Sequence, residues 1–409
     1  MPSPEKFAAF VEAVRASGLL PAAEMDALAA SASRPDADAE AVVRGLVQRG
    51  LLTPYQVRRL WKGRGTDLFL NQYVLLDRLG EGGMGEVYRA RHTRLDRDVA
   101  LKIMRKEKLA KPQSVKRFHR EIRAAATLAH ENVVMAYDAD QAGDVHFFAM
   151  EFVDGTTLER LAEEKGPLPV AEACEYVRQA ALGLQHAFEK GLTHRDIKPA
   201  NLLVDKSGVV KISDLGLVLI EEPETPEQAC RLTKEGLTVG TPDFVAPEQA
   251  RNPRAADVRA DIYALGCTLY YLLQGEVPFP GGTPTEKMLR HARESVPAPS
   301  RPDIPPGVKA VVATMTARKP EQRFQTPAAV ATALEPFARP PAARATPPPL
   351  PAVSESLTED ELPLSASRTP PDSRFRLPSA ADRPRARRAG CLGMVLFGAA
   401  IGIAIGRLV

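Results

Sequence analysis

Apolar and polar positions alternate with different periods in different parts of this chain, and the changes of period divide it. Residues 1–70 carry helical spacing. Phe7, Phe10, Val11 and Val14 fall on one face, with Ser3 placed to cap, Pro4 suited to the first turn and Gly18 to stop the helix. A second helix is predicted near 22–31. A third carries Val42, Val43, Leu46 and Val47 and ends at Gly50, and Thr53-Pro54 opens a fourth with Tyr55 and Trp61. The set reads as a small helical bundle with an ordinary core. It also suits a partner-binding or regulatory module, and the two readings are compatible.

From residue 73 the period shortens. Alternating and β-branched residues around 73–79, 86–90 and 99–104 predict strands. Long helical stretches then follow near 170–190 and 259–273. Strands first and helices after predict an α+β fold of two lobes across residues 73–337. Residues 338–388 are rich in Pro, Ala, Ser and Arg. A string such as PPAARATPPPLP forms neither a helix nor an inner strand, so a flexible, partly extended linker is expected.

The last apolar run, residues 389–406, is uncharged over 18 residues. As a helix it measures roughly 27 Å, the short end of what crosses a bilayer. Arg383, Arg385, Arg387 and Arg388 precede it, and basic flanks stay on the cytoplasmic side. The expectation is a single-pass anchor in the cell membrane with the large N-terminal part in the cytoplasm. Three residues follow the run, so no external sensor domain is expected. Gly398, Gly402 and Gly406 repeat every four residues, a spacing that lets two membrane helices approach closely; a homodimer through this face is the corresponding expectation, although glycine is common in membrane helices anyway.

Composition changes this picture little. A net charge of +3 on 409 residues argues against a nucleic-acid binder. Cys174, Cys230, Cys267 and Cys391 have neither pairing nor metal-ligand spacing, which fits a reducing compartment.

The chemistry sits in short strings. In residues 79–90, LGEGGMGEVYRA, Gly80, Gly82 and Gly85 are spaced G-x-G-x-x-G. Glycines let a backbone approach phosphates and turn tightly between strands. The same string marks dinucleotide folds, but there it opens a helix, whereas EVYRA continues as a strand. Seventeen residues after Gly85 stands Lys102, flanked by apolar residues on a predicted strand. Burying it is costly without a partner, and Glu121 on the following helix is the candidate. Residues 193–204, THRDIKPANLLV, crowd Arg195, Asp196, Lys198 and Asn201 into one loop, and Asp214 follows Asn201 by thirteen residues. Phosphoryl transfer needs metal ions across the phosphates, a carboxylate for the acceptor hydroxyl and positive charge near the migrating group. Asp196 suits the hydroxyl and Lys198 the γ-phosphate. Asn201 and Asp214 offer hard oxygen ligands for Mg²⁺.

With these strings in order, the chain resembles the eukaryotic-like (Hanks-type) protein kinases, specifically the bacterial Ser/Thr branch. The resemblance runs from residue 73 to about 337 through GEGGMGEV, VALK, HREI, HRDIKPAN, DLG and APEQ. It implies a bilobal kinase fold and a catalytic set of Lys102, Glu121, Asp196 and Lys198, with Asn201 and Asp214 on Mg²⁺. It implies that ATP lies against Leu79, Gly80, Glu81, Gly82, Gly83, Met84, Gly85, Glu86 and Val87. Ala100, Lys102 and Leu203 join them, with a hinge at Glu151 and Val153 behind Met150. It further implies an ion pair between Glu248 and Arg323, and Asp261 as a support of the catalytic loop. DIKPAN follows the Ser/Thr pattern, so the acceptors are expected to be Ser or Thr of protein substrates. Leu215 stands where the family most often has Phe, an apolar exchange that leaves Asp214 in place.

In such kinases the arginine at Arg195 receives a phosphate from the activation loop. Thr233 and Thr238 are the candidate acceptors within 217–239, whereas Thr241 reads as active-site floor. The alternatives are a pseudokinase scaffold that binds nucleotide without transfer, and an adaptor whose business lies in residues 1–70.

Overall fold

The computed structural model describes residues 4–34, 38–109, 112–215, 241–252 and 256–338. The expected linker 338–388 lies outside these residues but for its first position, and the 389–406 segment lies wholly outside them, as do Thr233, Thr238, Gly398, Gly402 and Gly406. Among the described residues no helix is long and apolar enough to cross a membrane.

Four helices come first: α1 (Pro4–Ser17), α2 (Ala22–Ala32), α3 (Ala39–Gln48) and α4 (Pro54–Trp61). Local chemistry sets their ends. The Asp38 carboxylate accepts from the backbone N–H groups of Glu40 and Ala41 at the start of α3. Thr53 and Gln56 form a reciprocal capping box at the start of α4, with Pro54 in the first turn.

A six-stranded sheet follows: β1 (Phe69–Leu70), β2 (Tyr73–Gly82), β3 (Gly85–His92), β4 (Arg97–Met104), β5 (Ala136–Ala142) and β6 (Val145–Glu151). Its spatial order is β1-β2-β3-β4-β6-β5 and every neighbour is antiparallel. One helix, α5 (Pro112–Ala125), interrupts it.

Side chains on β4 and β6 alternate between two cores. Val99, Leu101, Phe147 and Ala149 join a cluster that also holds Phe7, Phe10, Val14, Tyr55 and Leu60 from the N-terminal helices. Ala100, Met104, Phe148 and Met150 join Phe118 and Ile122 of α5. The sheet is thus covered on both faces, which is why VALKIM and VHFFAM read as nearly continuous apolar runs. The change near residue 70 is therefore a change of secondary structure, while the hydrophobic core runs on across it.

The second lobe is mostly helical. A short strand β7 (Gly155–Thr157) leads into α6 (Leu158–Lys165) and α7 (Val170–Glu189). The hairpin β8 (Leu202–Asp205) and β9 (Val210–Ile212) joins β7 in a three-stranded sheet. Then come α8 (Pro247–Arg251), α9 (Val258–Gln274), α10 (Pro284–Arg293), α11 (Pro306–Met315) and α12 (Pro327–Leu334). Helix α9 is apolar nearly all round and forms the middle of this core with α7, α11 and α12. Gly275 ends it in the left-handed conformation at φ +81°.

Candidate active site

The loop between α7 and β8 carries Arg195, Asp196, Lys198 and Asn201, and a buried carboxylate from another helix holds its backbone. Asp261, in the first turn of α9 and 1% exposed, accepts from the backbone N–H of His194 and of Arg195, each at 2.7 Å. Burial raises its pKa, while His194 and the two backbone N–H groups pull the other way. The His194 ring, fully buried, lies 2.8 Å from the Ser213 carbonyl, which ties this loop to the strand-to-loop turn holding Asp214. Arg195 (φ +69°) and Asp214 (φ +59°) both have left-handed backbones. For residues with a Cβ that conformation costs of order 1–3 kcal/mol and persists only where surrounding contacts over-determine it.

Asp196 sits within reach of three groups. Lys198 Nζ lies 2.8 Å from Asp196 Oδ2, Asn201 Nδ2 donates to the same oxygen at 3.2 Å, and the Thr241 N–H donates to Oδ1 at 3.3 Å. Lys198 also donates to the Thr241 hydroxyl at 2.8 Å. Asn201 lies in a single 3-10 turn after Pro199, and its carbonyl accepts from the Ser213 N–H at 2.9 Å. The structure therefore brings Asp196, Lys198, Asn201, Thr241 and Asp214 to one place from three separate segments.

Lys102 comes from the sheet. It is 5% exposed, on the β4 face that turns toward α5. Its expected partner is Glu121, which is itself buried on α5. The ammonium instead lies 2.7 Å from Asp214 Oδ2. Order along the chain does not decide which of two carboxylates meets a buried ammonium; the docking of sheet against loop does. Burial opposes ionisation of Asp214, but Lys102 above all, with His194 and Lys198, outweighs it and holds the carboxyl below its ordinary range.

The β2–β3 turn carries the glycine string. At Gly80, Gly82 and Gly83 an added Cβ would meet open space, whereas at Gly85 it would lie 1.9 Å from the Ile103 carbonyl oxygen. Gly85 is thus required by the approach of β3 to β4, and the other three border open space. Glu81 and Glu86 flank the turn and pair with Arg78, while Met84 packs against the α5-side core. Ala100 is buried; Val87, Val153 and Leu203 are half-buried; Leu79 is exposed. Glu151 ends β6 and engages Lys211 at 3.0 Å. A cavity of about 30 Å³ lies behind Met150, lined by Ile122, Leu128, Phe148, Asp214 and Leu215.

Glu248 and Arg323 form a two-pronged pair at 2.7 and 2.8 Å, and Arg323, 4% exposed, also donates to the carbonyls of Ala317 and Arg259. One contact escapes the sequence reading. Gln249, beside Glu248, donates to the Arg195 carbonyl at 2.6 Å and so joins α8 to the loop before Asp196. Its only signal in the sequence is its place inside APEQ.

Comparison with known proteins follows the same outline. The family described as "Protein kinase domain" matches residues 73–334. The serine/threonine-protein kinase PknB of Mycobacterium leprae is 39% identical over 264 residues, covering 63% of this chain and 42% of that protein. PrkC of Bacillus subtilis is 35% identical over 257 residues, covering 62% of this chain and 39% of that protein. The chain spans about two fifths of the length of these curated relatives. Among solved structures, the PknI kinase domain of Mycobacterium tuberculosis superimposes with a TM-score of 0.52 at 26% identity, covering 66% of this chain and 96% of that domain.

Proposed function

This chain belongs to the protein kinase family, and from that premise we propose that it transfers the γ-phosphoryl group of ATP to Ser or Thr hydroxyls of proteins. The observation that carries the reading is the meeting of Asp196, Lys198, Asn201, Asp214 and Lys102 in one cleft. Two relatives named as serine/threonine-protein kinases support the acceptor class.

Asn201 and Asp214 suit Mg²⁺: both present hard oxygens, and Asp214 is held ionised by its setting. Bound there, Mg²⁺ supplies neutralisation of phosphate charge. The chain's own groups do the rest. Asp196 orients the acceptor hydroxyl and takes its proton as oxygen attacks phosphorus. Lys198, already beside Asp196, places positive charge at the migrating group. Lys102 orients phosphate oxygens from the sheet side. The open space over Gly80, Gly82 and Gly83 leaves room for the phosphates to approach the backbone.

A radiolabelled ATP assay on the wild type and Asp196→Asn tests this. Transfer should fall at least about a hundredfold in the variant; equal incorporation in both sinks the mechanism.

Three finer readings go with the main one. Arg195 adjoins Asp196 and has its backbone pinned by Asp261 and Gln249. A phosphate on Thr233 or Thr238, acquired by autophosphorylation, is proposed to pair with it and raise activity. Full activity in a Thr233→Ala/Thr238→Ala variant counts against this. The apolar run at 389–406 with its arginine flank supports a single-pass membrane anchor that keeps the kinase cytoplasmic. Recovery of the full chain in the soluble fraction after cell lysis removes that reading. The spaced glycines of that run support a homodimer, raising local concentration for phosphorylation in trans; equal self-association of Gly398→Leu/Gly402→Leu in membranes removes the support.

A further inference from the structure

Strand β2 is irregular where it approaches the glycine turn. Opposite β3 its register slips between Leu75 and Asp77 and again between Arg78 and Gly80, leaving Leu76 and Leu79 as extra residues. A bulge frees backbone groups from the ladder and bends the strand, so something must hold it. Here the start of α4 does. The Thr53 hydroxyl donates to the Leu76 carbonyl, and Gln56 Nε2 donates to the Leu75 carbonyl at 2.9 Å. These are the two side chains of the capping box. Gln56 Oε1 also accepts from the Thr53 N–H at 3.0 Å, and Thr53 Oγ1 from the Gln56 N–H at 3.2 Å. One pair of residues therefore caps a helix and clasps a bulge. Gln56 is 4% exposed, so the clasp is shielded from water.

The contact continues to the turn. Tyr55, between the two clasp residues, packs on Tyr88 of β3 with ring centroids 5.7 Å apart. The Tyr88 hydroxyl donates to Glu86 at 2.6 Å. Glu86 pairs with Arg78, Arg78 with Glu81, and Glu81 with Arg105 across the base of the turn. These last pairs are 39–49% exposed, and exposed pairs restrain weakly. The buried end, Gln56 with Tyr55 and Tyr88, carries most of the restraint.

We propose that Thr53 and Gln56 are positioning residues for the nucleotide: α4 clasps the β2 bulge and thereby holds the glycine turn at the height that ATP binding requires. This rests on the kinase reading. It also gives residues 1–70, which lie outside the matched kinase family region, a part in the reaction. Preordering a turn that otherwise must be ordered on binding favours substrate affinity over turnover.

Gln56→Glu in the full chain separates the clasp from the cap. Its carboxylate still accepts from the Thr53 N–H, as capping boxes commonly do, but it has no N–H for the Leu75 carbonyl. Steady-state kinetics with Mg·ATP should show KM for ATP raised roughly three- to tenfold with kcat within about twofold, the size expected for one lost buried hydrogen bond. Thr53→Ser keeps both of its contacts and should match the wild type; Thr53→Val should follow Gln56→Glu. Tyr88→Phe removes the hydroxyl link to Glu86 while keeping the ring against Tyr55, and should move KM in the same direction, which decides the matter if Gln56→Glu melts. An unchanged KM in folded Gln56→Glu and Tyr88→Phe, or losses in kcat and melting temperature alone, overturns the proposal. Titration with a fluorescent ATP analogue reads the clasp through affinity even if the wild type transfers no phosphate, an outcome that sinks the kinase reading separately.

Discussion

The two faces of the six-stranded sheet are made by the same strands and do opposite things. The face toward α1 and α4 is mostly apolar: Leu75, Tyr88, Val99, Leu101 and Phe147 meet Phe10, Tyr55 and Leu60, with Gln56 a buried polar exception. The face toward α5 has a smaller apolar cluster and admits charge, with Lys102 and Glu121 both buried beside it. A charge is costly to bury unless paired, and on the inner face Asp214 supplies a partner for Lys102. The outer face meets no such demand from its apolar cluster; it serves as core, with the α4 clasp on β2 as a polar fastening. One face stores stability; the other holds chemistry that stability makes possible.

Four experiments break or sharpen that contrast. The largest effect is expected from a chain that begins at residue 71. It strips the cover from Tyr73, Leu75, Leu101 and Phe147, and exposed apolar area of that kind drives aggregation. Gel filtration and thermal melting should show loss of a soluble cooperative fold; a stable monomer that melts like the full chain makes the outer face independent of the helices. Next comes Lys102→Met, which should leave the outer face intact. Phosphate transfer should drop by about a hundredfold or more, with circular dichroism unchanged.

Leu101→Ala probes the outer face through one fully buried side chain. Denaturant unfolding should lose about 2–5 kcal/mol, while KM for ATP in the folded enzyme stays near the wild-type value. The neighbouring position on the other face should behave in reverse. Ala100→Leu intrudes on the cleft, so KM for ATP should rise while the stability loss stays below that of Leu101→Ala. If both changes act on stability alone, the two faces do not divide their tasks.

The smallest effect is on acid stability. The folded-state pKa of Asp214 lies below its unfolded value: burial acts against this, but Lys102 outweighs it. The pair therefore stabilises the fold fully above the unfolded carboxylate pKa of about 3.9, and that share is lost as pH falls through the depressed value. Lys102→Met should lose this component of acid sensitivity. Unfolding free energy measured from neutral pH down to about pH 3 should fall less steeply in the variant; parallel curves contradict the assignment.

Much of this was legible without coordinates. The α+β order, both lobes and the strings around Lys102, Asp196 and Asp214 follow from periodicity and spacing, because a strand, a turn or a catalytic loop is a local affair. The start of α4 at Thr53-Pro54 was readable too, since a cap acts within one turn; that Gln56 closes a capping box there came from the structure. What escaped were relations between distant segments: the Lys102 partner, the Gln249 contact to Arg195, and the shared core of α1–α4 with the sheet.

By itself, then, the chain's order of residues determined which elements form and which short loops carry acids, bases and amides, because these depend on neighbours a few residues apart. Tertiary structure alone decided that β4 is covered on both sides, that a capping glutamine spends its second hydrogen-bonding group on a strand bulge, and that Lys102 meets Asp214 rather than Glu121. An apolar face or a buried charge specifies that it needs a partner, not which one; close packing in three dimensions makes that choice.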